Sequence, residues 1–204
     1  MRKNLSILGF LILAPFVLAL AQQEAKAHPL HRTEVFFGLG STAESGYLFN
    51  GGVAAGYAEV GARLWTEYPT EEGSRASFWE FQFGGTVPQK TVGNYFPLSA
   101  GTSVNPGWVA FIPNWSFLRN PDWSVYFGVG PALFDLSDSN YGNSQSYGTF
   151  AWQAGAIYQL DAHWNLGFRA QYLKLSQSVA GSSSFEEFFT STLHLGYAPD
   201  WANH

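Results

Sequence analysis

One segment, residues 165–176, constrains the fold of this chain more than any other. Its side chains alternate one by one between an apolar and a polar face. The apolar face has Leu166, Phe168, Ala170 and Tyr172, and the polar face has Arg169 and Gln171. This two-residue period is that of a β-strand and differs from the spacing of an amphipathic helix. An aromatic face opposite a charged one suits a barrel wall with lipid outside and a polar interior.

The same period recurs along the chain and predicts an all-β fold, an eight-stranded antiparallel transmembrane β-barrel. The predicted strands are 33–41, 52–66, 77–87, 107–118, 123–135, 149–160, 164–176 and 185–197. Most have about the 9–11 residues that a tilted strand needs to cross a bilayer. A secreted β-sandwich is the alternative. The 18% aromatic residues, 22 Gly and only 12% charged residues favour the membrane barrel.

Short turns and longer polar loops alternate between these strands. Residues 120–122 and 161–163 are predicted as tight turns, and residues 90–106, 137–148 and 177–184 as longer loops. Short periplasmic turns and longer extracellular loops are typical of outer-membrane barrels, so Trp115, Trp123 and Trp164 are expected at the periplasmic interface. Pro113 lies inside a predicted strand, where a closed barrel has no free edge, so we expect a bulge there.

The N-terminus predicts a signal peptide at residues 1–21. A basic start precedes a short apolar run, and small residues offer cleavage sites after Ala21 or, further along, after Ala27. A membrane anchor helix is the alternative, but the run is short for a span and contains Pro15. The predicted organisation is a signal peptide followed by a single barrel domain at 28–201, located in the outer membrane.

Charge and composition exclude several functions. Removing residues 1–21 takes away Arg2 and Lys3 and no acids, so the net charge falls from −5 to −7. A net acidic chain has no electrostatic case for binding nucleic acid. There is no Cys, hence no disulfide. The few His residues show no metal-ligand spacing, and no cofactor is indicated.

The predicted inward face collects charged and amide side chains. They are Glu59, Arg63, Glu80, Gln82, Gln153, Arg169 and Gln171, with His194 on the same face of its strand. Side chains fill the interior of an eight-stranded barrel, so we predict that these groups pair with one another. A proton or ion path is the alternative.

Three short motifs in the last part of the chain occur in a suggestive order. They are Val125-Tyr-Phe-Gly-Val-Gly130, Gln153-Ala-Gly-Ala156 and Leu166-Gly-Phe-Arg-Ala170, followed by a polar segment and a final strand headed by Glu. With these motifs the chain resembles the outer-membrane lipid A deacylases, the acyloxyacyl hydrolase-like family of eight-stranded barrels. The resemblance implies an ester hydrolase with a serine, a histidine and a glutamate on the lipid-facing wall near the outer leaflet.

The resemblance places Ser176 as the nucleophile and Glu187 as the supporting acid. The position of the family's histidine holds Lys174 or, in a second register, Tyr172. A serine hydroxyl is a poor nucleophile unless an adjacent group takes its proton. Lys174 would act as that base only if it were desolvated, and a neighbouring Glu187 opposes this. The alternative is that Lys174 and Glu187 form a cross-strand ion pair.

Three functions are therefore compatible with the sequence. The first is a barrel of the lipid A deacylase type with a degenerate active site, which has a structural role or contacts lipopolysaccharide. The second is an active lipid A acyl-ester hydrolase that uses Ser176, Glu187 and Lys174. The third is an adhesin or glycan binder that uses the loops at 90–106 and 137–148. The expected partner in the first two is membrane lipid, lipid A or lipopolysaccharide in particular.

Overall fold

The computed structural model describes residues 32–45, 54–67, 77–91, 101, 103–116, 122–138, 144–179 and 182–199. The strands are β1 (Arg32–Ser45), β2 (Ala54–Glu67), β3 (Ser77–Thr86), β4 (Gln89–Lys90), β5 (Ser103–Ser116), β6 (Trp123–Asp138), β7 (Ser144–Gln159), β8 (Trp164–Val179) and β9 (Ser182–Tyr197). No helix among the described residues is long and apolar enough to cross a membrane. The predicted signal peptide lies outside the described residues.

These strands form one closed antiparallel sheet. Consecutive strands pair from β1 to β3 and from β5 to β9, β3 pairs with β5, and β9 closes the ring on β1. The two-residue β4 also pairs with β5 and continues the line of β3 beyond Pro88. The described strands therefore occupy eight positions around a barrel, which confirms the predicted fold.

The ladder between β5 and β6 has a gap where a bulge was expected. Its register is unchanged from Ala110 to Asn114, but residues 111–113 have no ladder partner on β6. Pro113 on one strand and Pro131 on the other both lie in this gap. Each lacks the N–H that the ladder requires, so two prolines remove bonds without inserting a residue. The predicted bulge at Pro113 is wrong.

Two of the predicted polar loops are mostly strand. Pairing between β6 and β7 continues to Ser137, and pairing between β8 and β9 continues to Val179. The loops predicted at 137–148 and 177–184 are therefore wrong in extent, and β5 begins at Ser103, inside a third predicted loop. A polar hairpin in water still pairs its own backbone groups, so a loop-like composition does not end a strand.

An aromatic girdle lies at the end of the barrel where the short turn 160–163 joins β7 to β8. Trp115, Trp123 and Trp164 are all exposed there, as predicted. Trp123 packs on Tyr158 and Trp164 on Tyr197, and in both pairs the ring centroids are 4.7 Å apart. Such girdles mark the membrane interface of outer-membrane barrels.

The outward apolar belt ends about ten residues from this girdle. On β8 the outward residues from Trp164 to Tyr172 are apolar or aromatic, and the next one is Lys174. On β9 Glu187 lies at the same level, directly opposite Lys174. This length agrees with the 9–11 residues of a tilted crossing strand. Strands β6 to β9, each of 16 residues, are about 50 Å long and continue beyond the belt.

The interior of the barrel is filled at three levels. A cluster near the girdle, called the aromatic cluster below, comprises Trp65, Phe78 and Tyr126 together with Ile157. The middle level is polar and contains the charged residues predicted to face inward. The outer level is apolar again and includes Trp108, Phe134, Leu136, Leu173, Leu175 and Phe188.

Candidate functional site

Lys174 and Glu187 lie on the outer wall at the upper edge of the apolar belt. The register of β8 and β9 places them directly opposite each other. The Lys174 Nζ is 3.4 Å from the Glu187 Oε1, and the two side chains are 47% and 39% exposed. The cross-strand ion pair considered as an alternative to catalysis is therefore present.

Tyr172 joins this pair from below. Its hydroxyl donates a hydrogen bond of 2.9 Å to the Glu187 Oε1, the oxygen that also faces Lys174. Tyr172, Lys174 and Glu187 are called the outer cluster below. The outer cluster thus places a carboxylate between a phenol and an ammonium at the level of the outer membrane interface.

Ser176 is the remaining residue of the predicted site. Its backbone lies in β8 and pairs with Phe185 of β9. It is two residues beyond Lys174, about 7 Å further along the strand. The side chains of Ser176 and of the neighbouring Gln177 lie outside the described part of the structure. The structure therefore brings together three of the four predicted residues.

The outer cluster supplies hydrogen-bond donors around a carboxylate. A lysine ammonium has three donors and no acceptor, and the phenol of Tyr172 is already donating to Glu187. Neither described imidazole is close: His163 lies in the turn at the girdle end, and His194 is buried inside the barrel. His28, His31 and His204 lie outside the described residues.

Two further polar residues lie on the outward face of the neighbouring hairpin. Asp135 on β6 pairs in register with Ser146 on β7, and the Ser146 hydroxyl donates to the Asp135 Oδ1 at 2.9 Å. Sequence reasoning did not single them out. The two-residue alternation that begins at Trp123 could have identified them, because it places Asp135 on the outward face just beyond Leu133.

The inward charged residues bind one another, as predicted. Arg169 forms ion pairs with both Glu59 and Glu80. The Arg63 Nε lies 2.7 Å from the Glu80 Oε2, and the Arg63 Nη2 lies 2.6 Å from the His194 Nε2.

An amide network continues this polar level. Gln153 contacts Glu80 at 3.1 Å and Gln82 at 2.6 Å, and Gln171 donates to Gln82 at 2.8 Å. Sequence reasoning missed Glu34, Asn114 and Asn165, which are also buried here. The described part of the chain has no group of three or more His, Asp or Glu side chains that would hold a metal ion.

A shallow depression of about 270 Å³ lies lower on the lipid-facing wall. It is lined by residues of β1, β8 and β9, among them Leu39, Phe168 and Leu193. No residue of the outer cluster lines it. The depression therefore lies below the outer cluster and does not include it.

No protein-family model and no curated protein sequence matches the chain. Solved structures do match it. Neisserial surface protein A (NspA) has a TM-score of 0.60 at 10% identity over 81% of this chain and 96% of its own. Ail, the attachment invasion locus protein of Yersinia pestis, in complex with the heparin analogue sucrose octasulfate, has a TM-score of 0.53 at 13% identity over 83% and 99%. The outer membrane protein OprG of Pseudomonas aeruginosa has a TM-score of 0.51 at 11% identity over 83% and 97%.

The chain has the fold of an outer-membrane β-barrel. At these identities the likeness establishes the fold and nothing finer. The exposed apolar belt and its aromatic girdle agree with this fold, since both need a bilayer around them. The protein is therefore located in the outer membrane.

Proposed function

We propose that this protein is a non-catalytic outer-membrane barrel of the lipid A deacylase type that contacts lipopolysaccharide through its outer cluster. The observation that carries the proposal is the half-exposed Lys174–Glu187 pair at the outer edge of the apolar belt. Phosphate groups of lipid A lie at this level of the outer leaflet, and an ammonium is a common partner for phosphate. Charged residues on a lipid-facing wall are rare unless they serve a site.

The surroundings of Lys174 fit an amphipathic ligand. Below it on the outward face lie Tyr172 and Phe189, which oppose each other across β8 and β9, and then Phe168 and Leu193. Phe189 is 51% exposed and Leu193 is 61% exposed. An acyl chain packs on such a surface while its phosphorylated sugar meets Lys174. Ail, which shares the fold, is described with a sulfated sugar, which is also an anionic saccharide.

The chemistry of the outer cluster argues against ester hydrolysis. A serine nucleophile needs a neighbouring acceptor for its proton. Lys174 is engaged as an ammonium with Glu187, and Tyr172 is a donor to the same carboxylate. An imidazole, the group that supplies the acceptor in the deacylases, has no counterpart in the outer cluster. We therefore assign the outer cluster to binding.

Binding is tested with the purified barrel in detergent, titrated with lipid A and followed by thermal unfolding. We expect lipid A to raise the melting temperature of the wild type and Lys174→Ala to bind lipid A about tenfold more weakly, the loss of one charge-assisted contact. Lys90→Ala is the matched control, because Lys90 is exposed on β4, across the barrel from β8. If both variants bind lipid A equally weakly, the effect comes from the loss of one positive charge and not from the position of Lys174.

Hydrolysis is tested by mass spectrometry of lipid A from cells that express the wild type or Ser176→Ala. We expect identical spectra, with both proteins folded in the outer membrane. Loss of an acyl chain with the wild type only would establish the hydrolase and overturn the assignment to binding. The two experiments are independent, because a catalytic defect in Ser176→Ala leaves the lipid A titration unchanged.

A further inference from the structure

The barrel wall opens between β7 and β8 on the outer side. Their ladder ends at the pair Ala151 and Leu173, although β7 starts at Ser144 and β8 continues to Val179. Within each hairpin, β6–β7 and β8–β9, the register is constant to the outermost described pair. The two hairpins therefore separate as regular units. The gap between residues 144–150 and residues 174–179 is called the notch.

Backbone groups of β7 point into the notch. The Gln159 N–H donates to the Asp122 carbonyl, and the Leu160 N–H donates to the Trp164 carbonyl. Antiparallel bonding alternates residue by residue, so odd residues of β7 bond β6 and even residues face β8. The N–H and C=O groups of Ser146 and Gly148 consequently face the notch, where β8 provides no ladder partner.

The base of the notch is closed by a side chain. The Thr149 hydroxyl donates to the Lys174 carbonyl at 2.5 Å, just above the last ladder pair. Beyond this contact the two edges have no ladder pairs. The open part of the notch therefore begins at the level of the outer cluster and extends away from the membrane.

The β7 edge of the notch lacks the usual protection of a free strand. Residues 144–150, Ser-Gln-Ser-Tyr-Gly-Thr-Phe, contain no charge and no proline, and the pairing with β6 has no bulge. Charges, prolines and bulges normally protect a free strand edge, because an unprotected edge pairs with other chains. The edge is also accessible: Phe150 is 62% exposed, and a Cβ added at Gly148 would meet nothing within 4 Å.

We propose that the β7 edge of the notch binds an extended polypeptide of an extracellular partner protein by β-strand addition. The backbone of Ser146 and Gly148 supplies the hydrogen bonds, as in other sheets that accept a strand. The bound segment carries a basic residue beside Ser146, because the Asp135 carboxylate lies there on the same outward face. The net charge of −5 favours a basic segment as well.

The β7 edge of a second copy cannot pair with this edge in an antiparallel sheet. In one membrane all copies have the same orientation, so β7 runs from the outside inward in each of them. Two β7 edges cannot then run antiparallel to each other. The notch also differs from the lipid site proposed for the outer cluster, because its unpaired backbone groups require a hydrogen-bonding partner that hydrocarbon does not provide.

The test uses the full-length barrel in nanodiscs and a displayed library of random dodecapeptides. We expect enrichment of peptides that alternate in polarity, contain Lys or Arg and avoid Pro. The enriched peptides should bind the wild type and Gly148→Ala equally, and Gly148→Pro about tenfold more weakly. Gly148→Pro removes an N–H that faces the notch and leaves the β6 ladder intact, since Gly148 is an even residue of β7. Ser146→Pro repeats the test if Gly148→Pro does not fold.

Four results would overturn the proposal. No enrichment over empty nanodiscs would exclude a strand-accepting edge, and so would peptides that bind Gly148→Pro as tightly as the wild type. Dimers that Gly148→Pro abolishes would assign the edge to a second copy. Peptide binding that lipid A displaces equally in the wild type and Gly148→Pro would assign the surface to lipid. Asp135→Asn should weaken the basic peptides only, and lipid A binding by Lys174→Ala remains a separate measurement.

Discussion

Arg169 on β8 and Glu80 on β3 form an ion pair across the middle of the barrel. In a ring of eight positions these two strands are diametrically opposite, and both side chains are fully buried. Gln82 and Gln171 join the same two strands with a hydrogen bond of 2.8 Å. The polar residues of the interior therefore tie opposite walls together, and at this level they occupy the space that a pore would need.

The first prediction concerns the stability that Arg169 contributes. Arg169→Ala leaves the buried carboxylates of Glu59 and Glu80 without this partner. Breaking a buried pair by removing one member costs about 3–5 kcal/mol, so we expect a loss of that order in the free energy of unfolding. Urea unfolding in detergent micelles measures it. Replacing Glu59 and Glu80 by Gln in the same variant should recover part of the loss.

Conductance in planar bilayers should stay at background for the wild type and for Arg169→Ala. The aromatic cluster below the polar level and the apolar cluster above it remain in both proteins. Clear channel currents from the wild type would show that the interior conducts. They would restore the ion path as the function of the inward residues.

The second prediction concerns the outer cluster, where we expect only a small change in stability. Lys174 and Glu187 are both more than one-third exposed, and solvent screens such pairs. Lys174→Ala should therefore change the free energy of unfolding by less than about 1 kcal/mol. Urea unfolding without added lipid, at low and high salt, measures this. A loss as large as that of Arg169→Ala would assign Lys174 a structural role and remove the reason to treat it as a ligand contact.

The wall of the barrel could be predicted from the sequence because alternation is a local property. The side chains of Arg169, Gln171 and His194 point inward for the same reason that those of Phe168 and Leu193 point outward. Each assignment needs only the strand itself. The pairing of Lys174 with Glu187 was also within reach, because adjacent strands of a hairpin set their own register.

Contacts between distant strands could not be predicted in this way. The choice of Glu59 and Glu80 as partners of Arg169 depends on how far the strands are staggered around the ring, which no single strand encodes. The outer extent of the hairpins was missed because the polar residues of 177–184 are equally suited to a loop or to a strand in water. The two prolines of the β5–β6 gap, Pro113 and Pro131, also become related only once the two strands are aligned.

The third prediction concerns the turn at the girdle end. The Asp161 Oδ1 accepts hydrogen bonds from the backbone N–H groups of Trp164, at 2.8 Å, and of His163, at 2.7 Å. These two bonds lower the pKa of Asp161 below its ordinary value. The folded pKa is thus below the unfolded one. The stabilisation is present above the unfolded pKa, about 4, and is lost as the pH falls through the folded pKa.

Nuclear magnetic resonance of the barrel in micelles tests this directly. We expect the carboxyl carbon shift of Asp161 to titrate with a midpoint below the ordinary aspartate value. Asp161→Asn keeps an oxygen acceptor and removes this titration. A midpoint at the ordinary aspartate value would show that the two hydrogen bonds do not hold in solution.

The fourth prediction compares two glycines that both lie in strands of the barrel. A Cβ added at Gly40 on β1 would lie 1.9 Å from the backbone oxygen of Ser191, whereas one added at Gly148 would meet nothing within 4 Å. A backbone atom cannot rotate away as a flexible side chain does. Gly40→Ala must therefore push β1 and β9 apart at the pair that closes the ring, at a cost of about 1–3 kcal/mol. Gly148→Ala should be neutral. Urea unfolding measures the free energy of unfolding of both variants. A lower value for Gly40→Ala than for Gly148→Ala would show that β1 and β9 are closely packed. Equal values would show that β1 and β9 separate without loss of stability.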